Sequence, residues 1–120
     1  MKVEKYNQYL IKMELEREEL DALRHLRNGV KSLLIRTIVN YVGEKNLLIV
    51  DAEEVSRGSL NSFWELKLYT ADNTEIKVGY TLDNMWIHVS ASKPNVDAKK
   101  IANEILKFTE DCINVLKERK

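Results

Sequence analysis

Residues 63–91 read FWELKLYTADNTEIKVGYTLDNMWIHVSA, and the period of this stretch decides the fold. From Phe63 to Thr70, Trp64, Leu66 and Leu68 point one way while Phe63, Glu65, Lys67 and Tyr69 point the other. From Glu75 to Leu82, Ile76, Val78, Tyr80 and Leu82 alternate with Glu75, Lys77, Gly79 and Thr81. From Met85 to Ala91, Met85, Ile87, Val89 and Ala91 alternate with Trp86, His88 and Ser90. Alternation of this kind marks strands with one buried face. A two-residue turn at Asp83-Asn84 pairs Leu82 with Met85, Tyr80 with Ile87 and Val78 with Val89, all on one side. Parity then selects the other loop. Two residues at Asp72-Asn73 set Leu68 against Lys77. Three residues, Asp72 to Thr74, set Thr70 against Ile76, Leu68 against Val78 and Leu66 against Tyr80.

Working towards the N-terminus, Asn46 to Asp51 (NLLIVD) is a short apolar run that predicts a strand buried on both faces. Ala52 to Leu60 is polar and reads as a loop. Residues 30–42 are apolar on a broad face, which predicts a buried helix ending at Gly43; their β-branched content leaves a strand open. From Val3 to Asn28 there are no helix breakers, and Glu14, Glu16, Glu18 and Glu19 stand before Arg17, Arg24 and Arg27 at helical spacing. A long amphipathic helix stopped by Asn28-Gly29 is expected. Beyond Pro94, residues 95–120 carry a stripe of Ala98, Ile101, Ala102, Ile105, Phe108, Thr109, Cys112, Val115 and Leu116. That stripe predicts a long C-terminal helix. The expected fold is α+β: one domain, 1–120, of two N-terminal helices, a four-stranded antiparallel meander and a long C-terminal helix.

Composition narrows the function classes. Lysines and arginines balance aspartates and glutamates at 19 each, so no global field draws the chain to nucleic acid or anionic lipid. The balance is uneven: residues 46–91 are net −4 and each flank is net +2. With one cysteine, Cys112, no internal disulfide forms, and a reducing, cytoplasmic location is expected. No apolar run reaches the ~18 residues of a membrane span. No metal-ligand spacing, phosphate-binding loop or nucleophile motif occurs, so neither an enzyme, a metal nor a cofactor is expected. His25 sits in a charged helical stretch, and Cys112 continues an apolar stripe. The acidic pair Glu53-Glu54 reads as part of a solvated loop.

The second face of the sheet is the most suggestive feature. The predicted register places Glu65, Thr81 and Trp86 in one row, Lys67, Gly79 and His88 in the next, and Tyr69, Lys77 and Ser90 in a third. Phe63, Lys67, Tyr69, Lys77, Trp86 and His88 thus form a candidate binding surface, with a dip at Gly79. A helix of this chain or of a partner covers this face, a ligand does, or it is a solvated sheet face. Tyr6, Tyr9, Leu10 and Met13 on the first helix, and Leu106 and Ile113 off the stripe of the last, are candidate interface residues for a homo-oligomer. The expected function is a non-enzymatic protein-interaction or assembly domain, oligomeric through its terminal helices and binding itself and another protein. The alternative is a single-stranded nucleic-acid-binding protein that uses the aromatic and basic sheet face. The expected element order is loosely similar to that of the archaeal ThermoDBP single-stranded-DNA-binding family. This resemblance of plan implies single-stranded DNA as a partner.

Overall fold

The computed structural model describes residues 7–25, 27–56, 63–82 and 85–118. Its elements run β1 (Asn7–Lys12), α1 (Arg17–His25), α2 (Arg27–Glu44), β2 (Ile49–Ser56), β3 (Phe63–Thr70), β4 (Glu75–Thr81), β5 (Trp86–Ala91) and α3 (Ala98–Glu118). Among the described residues there are three helices and a five-stranded antiparallel sheet of order β1-β5-β4-β3-β2. The mixed helix-and-sheet class and the C-terminal helix agree with the expectation. The fifth strand does not.

That strand is formed by residues expected to be helical. In β1, Asn7, Tyr9 and Ile11 are half-buried while Gln8, Leu10 and Lys12 are exposed, a period of two. Pairing along β5 sets Tyr9 opposite Val89 and Ile11 opposite Ile87, so the inward side chains extend the apolar face of the sheet. Helix propensity is a weak prior, and the apolar edge of β5 overrides it. The helix begins only at Arg17. There the Glu19 carboxylate accepts the Glu16 N–H at 2.9 Å, one half of a capping box. This bond and Lys117, 3.3 Å away, hold the Glu19 carboxyl below its usual range.

Helix α2 runs through Asn28-Gly29 and past Gly43, so neither glycine stops it. It stops at Asn46, whose φ of 58° is left-handed. The Leu47 N–H donates to the Val42 carbonyl at 2.8 Å and the Asn46 N–H to the Gly43 carbonyl at 3.0 Å. These are the two bonds of a Schellman end, with asparagine where glycine is commoner. The strand that follows begins at Ile49 and continues through most of the expected loop. It is an edge strand, and Leu48 (67% exposed) and Val50 (58%) lie in solvent, not in a doubly covered interior.

The β4–β5 register is as predicted, with Val78 opposite Val89 and Tyr80 opposite Ile87; the Asp83-Asn84 turn itself lies outside the described residues. The β3–β4 register is displaced by two. Trp64 faces Tyr80, Leu66 faces Val78 and Leu68 faces Ile76. The loop does have three residues, but they are Ala71 to Asn73, closed by a Thr70 N–H bond to the Thr74 carbonyl at 3.0 Å. Asn73 takes the left-handed position (φ 67°), which asparagine tolerates and threonine does not. Asp72 fixes the turn. Its carboxylate accepts from Thr70 Oγ1, from the Thr74 N–H and Oγ1 at 3.2 and 2.7 Å, and from Asn95 Nδ2 at 2.6 Å. The hydroxyls of Thr70 and Thr74, opposed only by partial burial, bring this carboxyl down to about 2.

All three helices lie on one side of the sheet. The core between them holds Leu66, Leu68, Ile76, Val78, Tyr80, Ile87 and Val89 from the sheet, and Leu23, Leu34, Ile38, Val42, Ile101 and Ile105 from the helices. Burying a side chain of this size contributes roughly 1.5–3 kcal/mol. Trp64 and Tyr80, directly opposed on the inner face, meet edge to face at 5.7 Å. Helix α3 packs across β1 and β5. Asp97 caps it by accepting the N–H groups of Lys99 and Lys100 at 3.0 and 3.3 Å. Two further bonds moor this end: the Asp97 N–H to Tyr41 Oη at 3.0 Å, and the Ala98 N–H to Asn7 Oδ1 at 3.3 Å.

Candidate binding face of the sheet

The outer face is what the helices leave. Because β1 is a strand, residues 7–12 join this face at its edge and do not lie across it. The observed rows are Phe63, Thr81, Trp86 and Lys12; then Glu65, Gly79, His88 and Leu10; then Glu53, Lys67, Lys77, Ser90 and Gln8; then Asp51, Tyr69 and Glu75. The six predicted binding positions do share this face. The two-residue displacement of β3 changes their neighbours, however. Lys67 opposes Lys77, Tyr69 opposes Glu75, and Glu65 takes the place beside Gly79. The side chain of Phe63 lies outside the described residues.

Gly79 does not leave a dip. The Trp86 indole lies over it, so a Cβ at position 79 would stand 3.0 Å from Trp86 Cζ3 and 3.3 Å from Cη2. Such a diagonal aromatic covers the backbone that a glycine exposes and restores lost contact. Gly79 and Thr81 are buried, while Trp86 is half-exposed. The His88 ring stands edge-on to the indole, at 6.5 Å and 82°. Its Nε2 lies 3.2 Å from Gln8 Oε1. The result is a small platform of Trp86, His88 and Gln8, with Leu10 exposed beside it.

Charge divides the face. Lys12 lies at the β1 end, whereas Asp51, Glu53 and Glu75 surround Tyr69 towards β2. Partial burial raises the Tyr69 phenol, and the carboxylates of Glu75, Glu53 and Asp51 raise it further against the pull of Lys77. Lys77 is itself paired with Glu75 at 3.3 Å. Glu53 stands opposite Lys67, which offsets the unfavourable Lys67–Lys77 opposition.

The predicted interface residues scatter. Tyr6 lies outside the described residues. Tyr9 is half-buried on the inner face with Lys99 Nζ 5.6 Å from its ring centroid. Met13 and Ile113 are core residues, 4% exposed each, because the chain leaves β1 directly under α3. Leu106 is half-buried against the same core. Of the five that are described, Leu10 is the one large exposed apolar side chain, at 54%. Sequence reasoning missed the contribution of Gln8 and Lys12 to the outer face. The alternation of polar and apolar residues in NQYLIK was the available signal.

Elsewhere the chemistry is quiet. Burial pushes the half-buried Cys112 thiol up, with Asp111 adding to it, the opposite of an activated nucleophile. The His25 side chain lies outside the described residues. Glu53 and Glu54 belong to strand β2, not to a loop. Among the described residues, no group of three or more histidines, cysteines or carboxylates is placed to hold a metal ion, and no helix is long and apolar enough to cross a membrane. Compared with known proteins, the chain matches no family model, no curated protein and no solved structure.

Proposed function

We propose that this chain is a non-enzymatic interaction and assembly domain that associates with itself and presents the outer face of its sheet to a protein partner. The observation that carries this reading is the Trp86 platform. It is a half-exposed aromatic laid on Gly79, on the face of the sheet opposite the core shared with the helices. Large flat aromatics with a polar rim are what protein interfaces concentrate. Met13 and Ile113 lie in the core and are not offered to a partner, which leaves the exposed Leu10 on the sheet edge as the apolar residue of that set best placed for association.

Single-stranded nucleic acid is the second reading, favoured by the same indole with Lys12, Lys67 and Lys77 on its face. Asp51, Glu53, Glu65 and Glu75 share that face and oppose a phosphate backbone. Titrating the full chain with oligo-dT at low salt, with tryptophan emission as the signal, separates the two. A flat response supports the protein-binding reading. Quenching that weakens as salt rises overturns it in favour of nucleic acid.

A further inference from the structure

Among the described residues the sheet ends in two edge strands, β1 and β2, and they are built differently. At β2 the ladder is broken by a register shift between Ile49 and Asp51. The Asp51 carboxylate takes the Ala52 N–H at 2.9 Å, removing one donor from the strand. Asp51 and Glu53 are exposed along it. Bulges and charges of this kind stop an edge from recruiting another strand. At β1 the ladder has no bulge and the strand carries no carboxylate. Its six residues pair with β5 without interruption from Asn7 to Lys12. Its one charge, Lys12, lies at the end, and its centre carries the exposed Leu10.

We propose that β1 pairs antiparallel with β1 of a second copy of this chain, about a two-fold axis at Leu10, to make one continuous ten-stranded sheet. This rests on the reading of the chain as a self-associating domain and names the surface. Opposed residues in an antiparallel pair point to the same face, so each residue must meet a partner of its own parity. Three symmetric registers near the strand centre satisfy this. Centring on Tyr9 sets Leu10 against Gln8 and Ile11 against Asn7, apolar against polar twice. Centring on Ile11 sets Leu10 against Lys12. Centring on Leu10 sets Leu10 against Leu10 and Lys12 against Gln8 on the outer face, and Tyr9 against Ile11 on the inner face. Only this last register matches apolar with apolar on both faces and keeps like charges apart.

The helices admit the pairing. With strands about 4.8 Å apart, an α3 lying over the β1–β5 seam stands about 5 Å from the axis, and its copy about 10 Å away, an ordinary interhelical distance. A heterologous β1–β2 pairing would instead run along the irregular β2 ladder, past the exposed carboxylates of Asp51 and Glu53, and would build rings or open filaments, not a closed dimer.

The test uses the full chain. Light scattering on wild type should give about 28 kDa, twice the 14.0 kDa of one chain. Leu10→Lys places two ammonium groups face to face on the axis and should weaken association at least ~10-fold, returning the mass to one chain. Because Leu10 is exposed, circular dichroism should be unchanged. A second variant removes dependence on that substitution. In a Cys112→Ser background, Leu10→Cys puts two thiols on opposed residues about 4.5–5.5 Å apart at Cα, within disulfide reach. Oxidised glutathione should then link the chains, whereas Val50→Cys on β2 should remain unlinked. A dimer that survives Leu10→Lys and does not link through Cys at position 10 overturns the β1 pairing but leaves self-association standing. A wild-type mass of 14 kDa overturns both.

Discussion

Replacing Tyr80 by Phe removes a single hydroxyl from the most enclosed part of the core, and the structure fixes how its effect must change with pH. Tyr80 is 1% exposed, and its hydroxyl lies 2.9 Å from Thr109 Oγ1. Thr109 already donates its one proton to the Ile105 carbonyl at 3.0 Å, so the phenol is the donor between them. Tyr80→Phe therefore orphans no buried donor. At pH 7 its cost is that of one ordinary hydrogen bond, about 1 kcal/mol.

Burial pushes the Tyr80 phenol up to about 12 from 10.0, with the Thr109 hydroxyl drawing it part of the way back. A group whose value is raised on folding contributes fully below its unfolded value, here 10. The contribution is lost as pH climbs towards the folded value, because only the unfolded chain then gives up its proton. One pH unit above 10 the wild type has lost about 1.4 kcal/mol through this group, and the complete loss is about 3 kcal/mol. The Phe variant has nothing to lose there. The gap of about 1 kcal/mol at pH 7 should hold to pH 9, close near pH 11 and reverse above it. Urea unfolding of both proteins at each pH, followed by far-ultraviolet circular dichroism, measures the gap directly. Every other group is common to both chains, so the comparison isolates position 80. A gap that stays constant from pH 7 to pH 11 refutes the account of an enclosed, donating phenol.

Three further substitutions probe the face, the turn and the helix cap. Gly79→Ala puts a methyl 3.0 Å from Trp86 Cζ3, so the indole must lift; in a Trp64→Phe background its emission should shift to the red and acrylamide quenching should rise. An unchanged spectrum would show that the indole does not rest on Gly79. The Asp72 carboxyl is held at about 2, below its unfolded value. Its contribution is therefore present above pH 4 and lost as pH falls towards 2, and the stability difference between wild type and Asp72→Ala should shrink between pH 5 and 2. A difference that grows on acidification contradicts the turn network. Asp97→Ala should cost about 1 kcal/mol in urea unfolding while Asp97→Asn, which keeps an acceptor oxygen, recovers most of it; equal losses would place the effect elsewhere than the α3 cap.

What the sequence showed, it showed through period and parity. The three runs of alternation between residues 63 and 91 became β3, β4 and β5 within a residue of their expected limits, because side-chain parity in a half-buried sheet admits no slippage by one. A slippage by two preserves parity, and that is the error in the β3–β4 register. It was decided by which residue takes the left-handed turn position, and Asn73 outbids Thr74 for reasons local to the backbone. The N-terminal arm failed differently. Glutamates and arginines at helical spacing are real in α1, but they were read back into NQYLIK, whose alternation is only six residues long. Nothing local separates a short strand there from a helix. The deciding partner, the apolar edge of β5, lies some eighty residues away. β2 failed for the related reason that burial of NLLIVD was inferred from its composition, while an edge strand keeps such residues in solvent.

These two misreadings bear directly on the binding face, since whether it is open and how the chain associates turn on the same six residues. A helix at 7–12 would have supplied an amphipathic cover for the sheet and an apolar stripe for a partner. A strand at 7–12 removes the cover and spends Tyr9 and Ile11 on the core. It adds Gln8, Leu10 and Lys12 to the outer face and ends the sheet in an unbulged edge. The Trp86 platform depends on this arrangement, because Gln8 comes from β1 and holds His88 at 3.2 Å beside the indole. If β1 pairs with its copy, the two platforms lie on one continuous surface, related by the axis at Leu10. A partner that engages both would then bind the dimer more tightly than either half, through effective concentration and with no new contact. Leu10→Lys should accordingly weaken such a partner even though residue 10 need not touch it. Trp86→Ala should weaken it with the dimer intact.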